Sequence, residues 1–178
     1  MRLSTFDLSL TESGFTAPGG RFGVLKPPMD ASRGMARIRW IRDSVLDVAS
    51  GSDIVVLEGY AFGAKGNAFI SLAELGGVVR CALADISKRY VDVPPASLKL
   101  FATGKGNAKK DEVLAAAIRS LQYPGHNHNE ADALWLRAMS IAALTSPAPD
   151  APLSETKARA LAKITWPSAP RTLTEVQT

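Results

Sequence analysis

Phe6-Asp7-Leu8-Ser9-Leu10-Thr11-Glu12-Ser13-Gly14-Phe15-Thr16 is the stretch on which the reading of this chain turns. Residues 3–6 form an apolar run broken by small hydroxyls, the pattern of a buried strand. Asp7 closes that run. A buried carboxylate without a partner costs on the order of several kcal/mol. A bound cation is the usual compensation. The plain alternative is that Asp7 starts a turn or caps a helix, and this stretch alone does not separate the two. Ser9, Thr11, Ser13 and Gly14 suit a tight turn into a second strand from Phe15 onward.

Working outward, 178 residues are enough for one domain with a sizeable core. An apolar fraction of 46% against 21% charged places the chain among ordinary globular proteins. A net charge of +4 is compatible with a nucleic-acid partner without establishing one. Cys81 is the only cysteine, so an internal disulfide is excluded; its apolar surroundings predict a core thiol. No apolar run approaches the ~20 residues that span a bilayer, and residues 1–4 lack the pattern of a signal peptide. The expectation is a cytoplasmic protein with no membrane partner.

After the first hairpin, Arg21-Phe22-Gly23-Val24-Leu25 reads as a third strand, stopped by Pro27-Pro28. Ser32 is placed to cap a helix running to about residue 49, with Ile38, Ile41, Val45 and Val48 as its core stripe. Arg33, Arg37, Arg39 and Arg42 decorate its other faces. Ile54-Val55-Val56-Leu57 is a continuous run of β-formers, the mark of a central strand, and it ends in Glu58. A glycine-rich loop with Tyr60, Phe62 and Lys65 leads into a long helix from Asn67. Phe69, Leu72, Leu75, Val79 and Leu83 make its stripe. Gly76-Gly77 in its middle costs roughly 1 kcal/mol per glycine, which points to close packing against another helix or a partner chain.

Tyr90-Val91-Asp92-Val93 is a short strand stopped by Pro94-Pro95, followed by a helical turn around residues 97–100. Thr103-Gly104-Lys105-Gly106-Asn107-Ala108-Lys109-Lys110 is a flexible basic loop without the P-loop pattern. It enters a helix that buries Val113, Ala117 and Leu121. The next helix, over residues 130–144, is apolar at Ala131, Leu134, Ala138, Ile141 and Ala142. Glu130 and Asp132 stand in its first turn, where the helix dipole favours acids. Residues 146–152 are a proline-rich linker, and a short basic helix and polar tail complete the chain. This divides it into a domain over residues 1–145 and a segment over residues 146–178.

The order of elements predicts a mixed α/β sheet flanked by helices, in which the first and fourth strands can be neighbours. Asp7, Glu58 and Asp132, far apart in sequence, can then converge. Carboxylates without cysteine suit a hard divalent cation such as Mg²⁺ or Mn²⁺. Two such ions support phosphodiester hydrolysis. His128 and Asn129 lie where a slightly longer helix would put them on the face of Asp132.

Four blocks, in order, resemble the RuvC-type Holliday junction resolvases of the ribonuclease H-like superfamily. They are residues 6–11 with Gly14, residues 55–58 with Tyr60 to Phe62, residues 103–110 with Val113, and residues 129–134. The resemblance covers residues 3–143. It implies a ribonuclease H-like mixed five-stranded sheet and a homodimer that cuts opposed strands of a four-way DNA junction. It also implies divalent metal held by four side chains. Asp7, Glu58 and Asp132 carry over directly. The fourth position is Asn129 here, where the family has aspartate or histidine, so Asn129, Glu130 and His128 are the candidates for that ligand. Lys99 and Lys110 match basic positions near the scissile phosphate, and Lys110 is a catalytic candidate. Lys105 and Lys109 are assigned to DNA binding. Tyr60 or Phe62 matches an aromatic that contacts junction bases. The compact length and proline-rich tail fit a phage-encoded version. Competing readings are a nuclease for other branched DNA or RNA–DNA hybrids, a junction-binding dimer that does not cut, and, more remotely, an actin-like phosphotransferase.

Overall fold

The computed structural model describes residues 1–60, 67–145 and 152–167. The strands β1 (Leu3–Asp7), β2 (Ser13–Thr16), β3 (Phe22–Leu25), β4 (Ile54–Glu58) and β5 (Tyr90–Val93) form one sheet in the order β3-β2-β1-β4-β5. The first three are antiparallel neighbours, whereas β4 runs parallel to both β1 and β5. The expected mixed five-stranded sheet is therefore present, with β1 beside β4. Their register pairs Leu3 with Ile54 and Phe6 with Leu57, so one further step brings Asp7 alongside Glu58.

Among the described residues, six α-helices accompany the sheet: α1 (Gly34–Ala49), α2 (Asn67–Asp85), α3 (Pro95–Thr103), α4 (Lys110–Leu121), α5 (His128–Leu144) and α6 (Glu155–Leu161). Alternate residues of a strand point to opposite faces, and β4 shows the result. Val55 and Leu57 join a core with Phe6, Ile41, Val45, Leu75, Val79 and Leu83 of β1, α1 and α2. Ile54 and Val56 join a second core with Phe101, Trp135, Leu136 and Met139. Both faces of the strand are buried, which explains its unbroken apolar sequence.

Several expectations are corrected. Ser32 does not cap α1: its hydroxyl donates to the Met29 carbonyl at 2.8 Å, closing a 3-10 turn, and the helix starts two residues later. Cys81 is exposed and is not a core thiol, because it faces away from the Leu75–Val79–Leu83 stripe. Of the glycine pair, Gly76 is tightly enclosed and Gly77 faces open space. On α5 the buried face is Ala131, Trp135, Leu136 and Met139, and Ile141 is 42% exposed. The basic loop is hydrogen-bonded: Thr103 Oγ1 accepts from the Lys105 amide at 3.2 Å, and Gly104 ends α3 in the left-handed region at φ 83°. Of the expected proline-rich linker, residues 146–151 lie outside the described residues. The segment that follows joins the core, with Ala160, Leu161 and Ile164 packed in the same cluster as Phe101.

Helix α5 rests directly on the first hairpin. Thr5 Oγ1 donates to the Ala133 carbonyl at 2.7 Å and accepts from Thr16 Oγ1 at 2.8 Å. A Cβ on Gly14 would fall 1.9 Å from the Asn129 carbonyl oxygen. No side chain fits there unless the backbone moves. Gly14→Ala should therefore push the start of α5 off the sheet and cost about 1–3 kcal/mol, the range for overpacking. Denaturant unfolding checks this, and an unchanged midpoint would contradict it.

Candidate active site

Asp7 ends β1 and is 7% exposed; Glu58 ends β4 and is half-buried. The two side chains share a hydrogen bond. Burial raises the Asp7 carboxyl above its ordinary range, against the hydrogen bond to Glu58 and the charge of Lys110. Burial and then the Asp7 charge raise Glu58 well above its own, with Asp132 adding to the effect. With both carboxyls raised and hydrogen-bonded to one another, the pair holds a proton between them. Asp132, half-buried on α5, is pushed up to about 7 by burial and by Asp7, with Lys110 and Lys99 opposing. Three acids here cannot all ionise without added positive charge.

These acids line one cleft of about 430 Å³ together with Lys99, Lys110 and Asn129. Lys110 is the first residue of α4, where the helix dipole disfavours a cation, yet its charge acts on all three acids. Lys99 on α3 acts on Asp132. Asn129 donates from Nδ2 to the Glu12 carbonyl at 2.6 Å, which leaves its amide oxygen as the acceptor. The donor set of Asp7, Glu58, Asp132 and the Asn129 amide is all oxygen and short of positive charge, so it fits a hard divalent cation. Among the described residues, no three His, Cys, Asp or Glu side chains are gathered closely enough to hold an ion as they stand.

The other candidates lie elsewhere. Glu130 accepts a hydrogen bond from the Tyr123 hydroxyl, and His128 Nε2 stands 3.5 Å from Asp111. Neither lines the cleft. Asn127 caps α5, its side chain accepting from the amides of Asn129 and Glu130, so the helix does extend back to His128. Glu130 misses the cleft because it lies about 200° around the helix from Asp132, and His128 because its ring turns to Asp111. Glu130 is then in the first turn and Asp132 is beyond it, so the dipole accounts for only one of them. Lys105 pairs with Glu112 at 3.6 Å, and Lys109 is exposed. Tyr60 lines the cleft, with the Arg80 guanidinium 4.4 Å from its ring centre. Phe62 lies outside the described residues.

Sequence reasoning missed Glu12, Asn127 and Arg80. Asn127 carried a signal, since an Asn followed three residues later by Glu130 is the pattern of a capped helix start. Glu12 and Arg80 are tied to residues far along the chain and left none.

The sheet order, with its two parallel pairs and three acids at one end, defines a ribonuclease H-like fold. No family model matches the chain. Among curated proteins it is 40% identical over 72 residues to a crossover junction endodeoxyribonuclease RuvC of Prochlorococcus marinus, covering 39% of this chain and 46% of that one. To RuvC of a Synechococcus strain it is 37% identical over 84 residues, covering 46% and 54%. A RuvC of another Prochlorococcus marinus strain is 29% identical over 114 residues, covering 63% and 72%. The chain thus spans about half the length of the first curated relatives it matches. The solved structure of Thermus thermophilus RuvC superposes with a TM-score of 0.60 at 20% identity, over 76% of this chain and 90% of that one. Its complex with a Holliday junction substrate gives a TM-score of 0.61. The resemblance to RuvC-type resolvases therefore holds in sequence and in fold.

The raised acids make a prediction for the metal-free chain. A carboxyl whose folded pKa lies above its unfolded one stabilises most below the unfolded value, and that contribution is lost as pH rises through the folded value. For Asp132 the window runs from the ordinary 3.8 to about 7. Asp132→Asn should raise the melting temperature in EDTA at pH 8, and the gain should vanish near pH 4. A gain of equal size at both values would contradict the assignment.

Proposed function

We propose that the chain is a divalent-metal-dependent endonuclease that resolves four-way DNA junctions as a homodimer. The observation that carries this is the acid pair Asp7 and Glu58 on adjacent parallel strands, with Asp132 and Lys110 in the same cleft. The likeness to RuvC, and to its structure with a Holliday junction substrate, supports the choice of substrate. RuvC proteins depend on divalent metal as a family, and Mg²⁺ or Mn²⁺ is the proposed ion here.

Asp7, Glu58 and Asp132 would hold the ion, with the Asn129 amide oxygen in the fourth position. When bound, such an ion activates water and takes up charge on the phosphodiester. The chain's own residues do the rest. The acids give up their shared proton and fix the donor set at the mouth of the sheet. Lys110, held at the head of α4, faces the charge that builds on the phosphate oxygens. Lys99 orients the phosphate from the α3 side. Lys105 and Lys109, further out, contact backbone phosphates and set affinity. For the dimer, α2 presents an outer face with Ile70 64% exposed and Gly77 in open space. A second copy seated there would put two clefts against opposed strands.

Asp7→Asn should abolish Mg²⁺-dependent nicking of a four-way junction while junction binding persists, because the variant removes charge and keeps shape. A variant that cuts normally would refute the assignment, and a wild-type chain that binds without cutting would favour the non-cleaving reading.

The lysines should separate by role. Lys110→Ala should slow single-turnover cleavage about a hundredfold on saturated junction. Lys105→Ala should leave that rate unchanged and reduce the salt slope of binding by about one unit. Equal slowing in both would contradict this division. Sedimentation should show a dimer at micromolar concentration, and a monomer with and without junction would count against the paired cut.

A further inference from the structure

A second cavity of about 500 Å³ opens beside the catalytic cleft, lined among the described residues by Tyr60, Asp92, Pro94, Pro95, Ala96 and Lys99, with two glycines. Gly59, Tyr60, Pro95 and Lys99 line both spaces, so the two are adjacent. The size suits a small flat ligand.

Its charge is arranged in a particular way. Asp92 is taken up by Arg80, whose Nη2 lies 2.6 Å from Oδ1 and whose Nε lies 3.2 Å from Oδ2. The same guanidinium covers the Tyr60 ring, and its Nη1 donates to the Tyr60 hydroxyl at 3.1 Å and to the Gly76 carbonyl at 2.9 Å. A Cβ on Gly76 would fall 2.6 Å from Nη1 and 2.7 Å from the Tyr60 hydroxyl, so any larger residue there would shift this clamp. Tyr60 is thereby a fixed wall between the spaces. The acid of the cavity is neutralised, its floor is proline and alanine, and Lys99 is the cation shared with the cleft.

We propose that this cavity takes one unpaired base of the DNA strand, that of a nucleotide next to the phosphate at Lys99. A flat apolar body with an adjoining anion matches the lining. A base held in a duplex stack does not enter a concave pocket, whereas one swung out of the stack does. The inference rests on the nuclease reading and adds to it a site for the base.

The test is a scan of four-way junctions, each lacking a single base near the crossing point, with binding measured on the wild-type chain without Mg²⁺. Loss of one particular base should weaken binding roughly tenfold, the scale of one base contact. Ala96→Trp, which fills the cavity from an exposed position outside the catalytic cleft, should bring the intact junction down to the affinity of that abasic one. Its melting temperature and duplex binding should stay unchanged. Should that variant not fold, Gly106→Leu fills the space from the facing turn, where a Cβ meets Ala96 O at a tolerable 3.4 Å. A flat scan in the wild type, or a position-specific penalty that survives in the filled variant, overturns the proposal. A flat scan alongside normal junction binding and Mg²⁺-dependent cutting defeats the base site alone, whereas no junction binding at all defeats the nuclease reading beneath it.

Discussion

Two carboxylates at the ends of adjacent parallel strands repel one another, and the rest of this molecule is arranged around that repulsion. Parallel pairing of β1 with β4 sets the buried Asp7 beside the half-buried Glu58. Pairing with hydrophobic neighbours stabilises the strands, but it leaves the charges with little water. The pair meets this by sharing a proton, and Asp132 by keeping its own up to about 7. A purely structural site would have replaced the acids or matched them with arginines. Lys110 and Lys99 are the cations facing the acids, and Lys110 sits where its helix disfavours it. Such an arrangement is costly unless a multiply charged ion enters, and that cost is the physical case for a metal site.

The sheet end is held by contacts that are themselves far from the chemistry. Gly14 lets α5 lie against β2, the Glu12 carbonyl takes the Asn129 amide, and Thr5 takes the Ala133 carbonyl. Together they fix where Asp132 and Asn129 meet the strand ends. On the other side, Arg80 fixes Tyr60 through Asp92. The acids are thus set on rigid strands and a capped helix, which is what precise positioning of a reacting phosphate requires.

Much of this was legible in the chain. An acid closing an apolar run is a strong local signal, and it placed Asp7 and Glu58 at strand ends; a mixed sheet allowed the first strand to lie beside the fourth, and the fold puts it there. Asp132 was the weaker candidate until the family resemblance, because an acid near a helix start has an ordinary explanation. That explanation failed when α5 proved to begin at His128, while Glu130 turns to Tyr123 and His128 to Asp111. Cys81 and Ile141 were misplaced because both helices are apolar on more than one face, so period alone did not say which face is buried. The clamp on Tyr60 could not be read at all, since Arg80 and Asp92 meet it only through the fold. The packing of α6 on the core was likewise invisible behind a proline-rich stretch.

The claim that the acids await a cation is tested most directly by counting protons. Mg²⁺ titrated into the chain near pH 6.5, by calorimetry in buffers of different ionisation enthalpy, reports protons released on binding. The account predicts saturable binding with release of about one proton or more, since the shared and raised carboxyls must ionise to serve as ligands. Binding without proton release, or no binding at millimolar Mg²⁺, would contradict it.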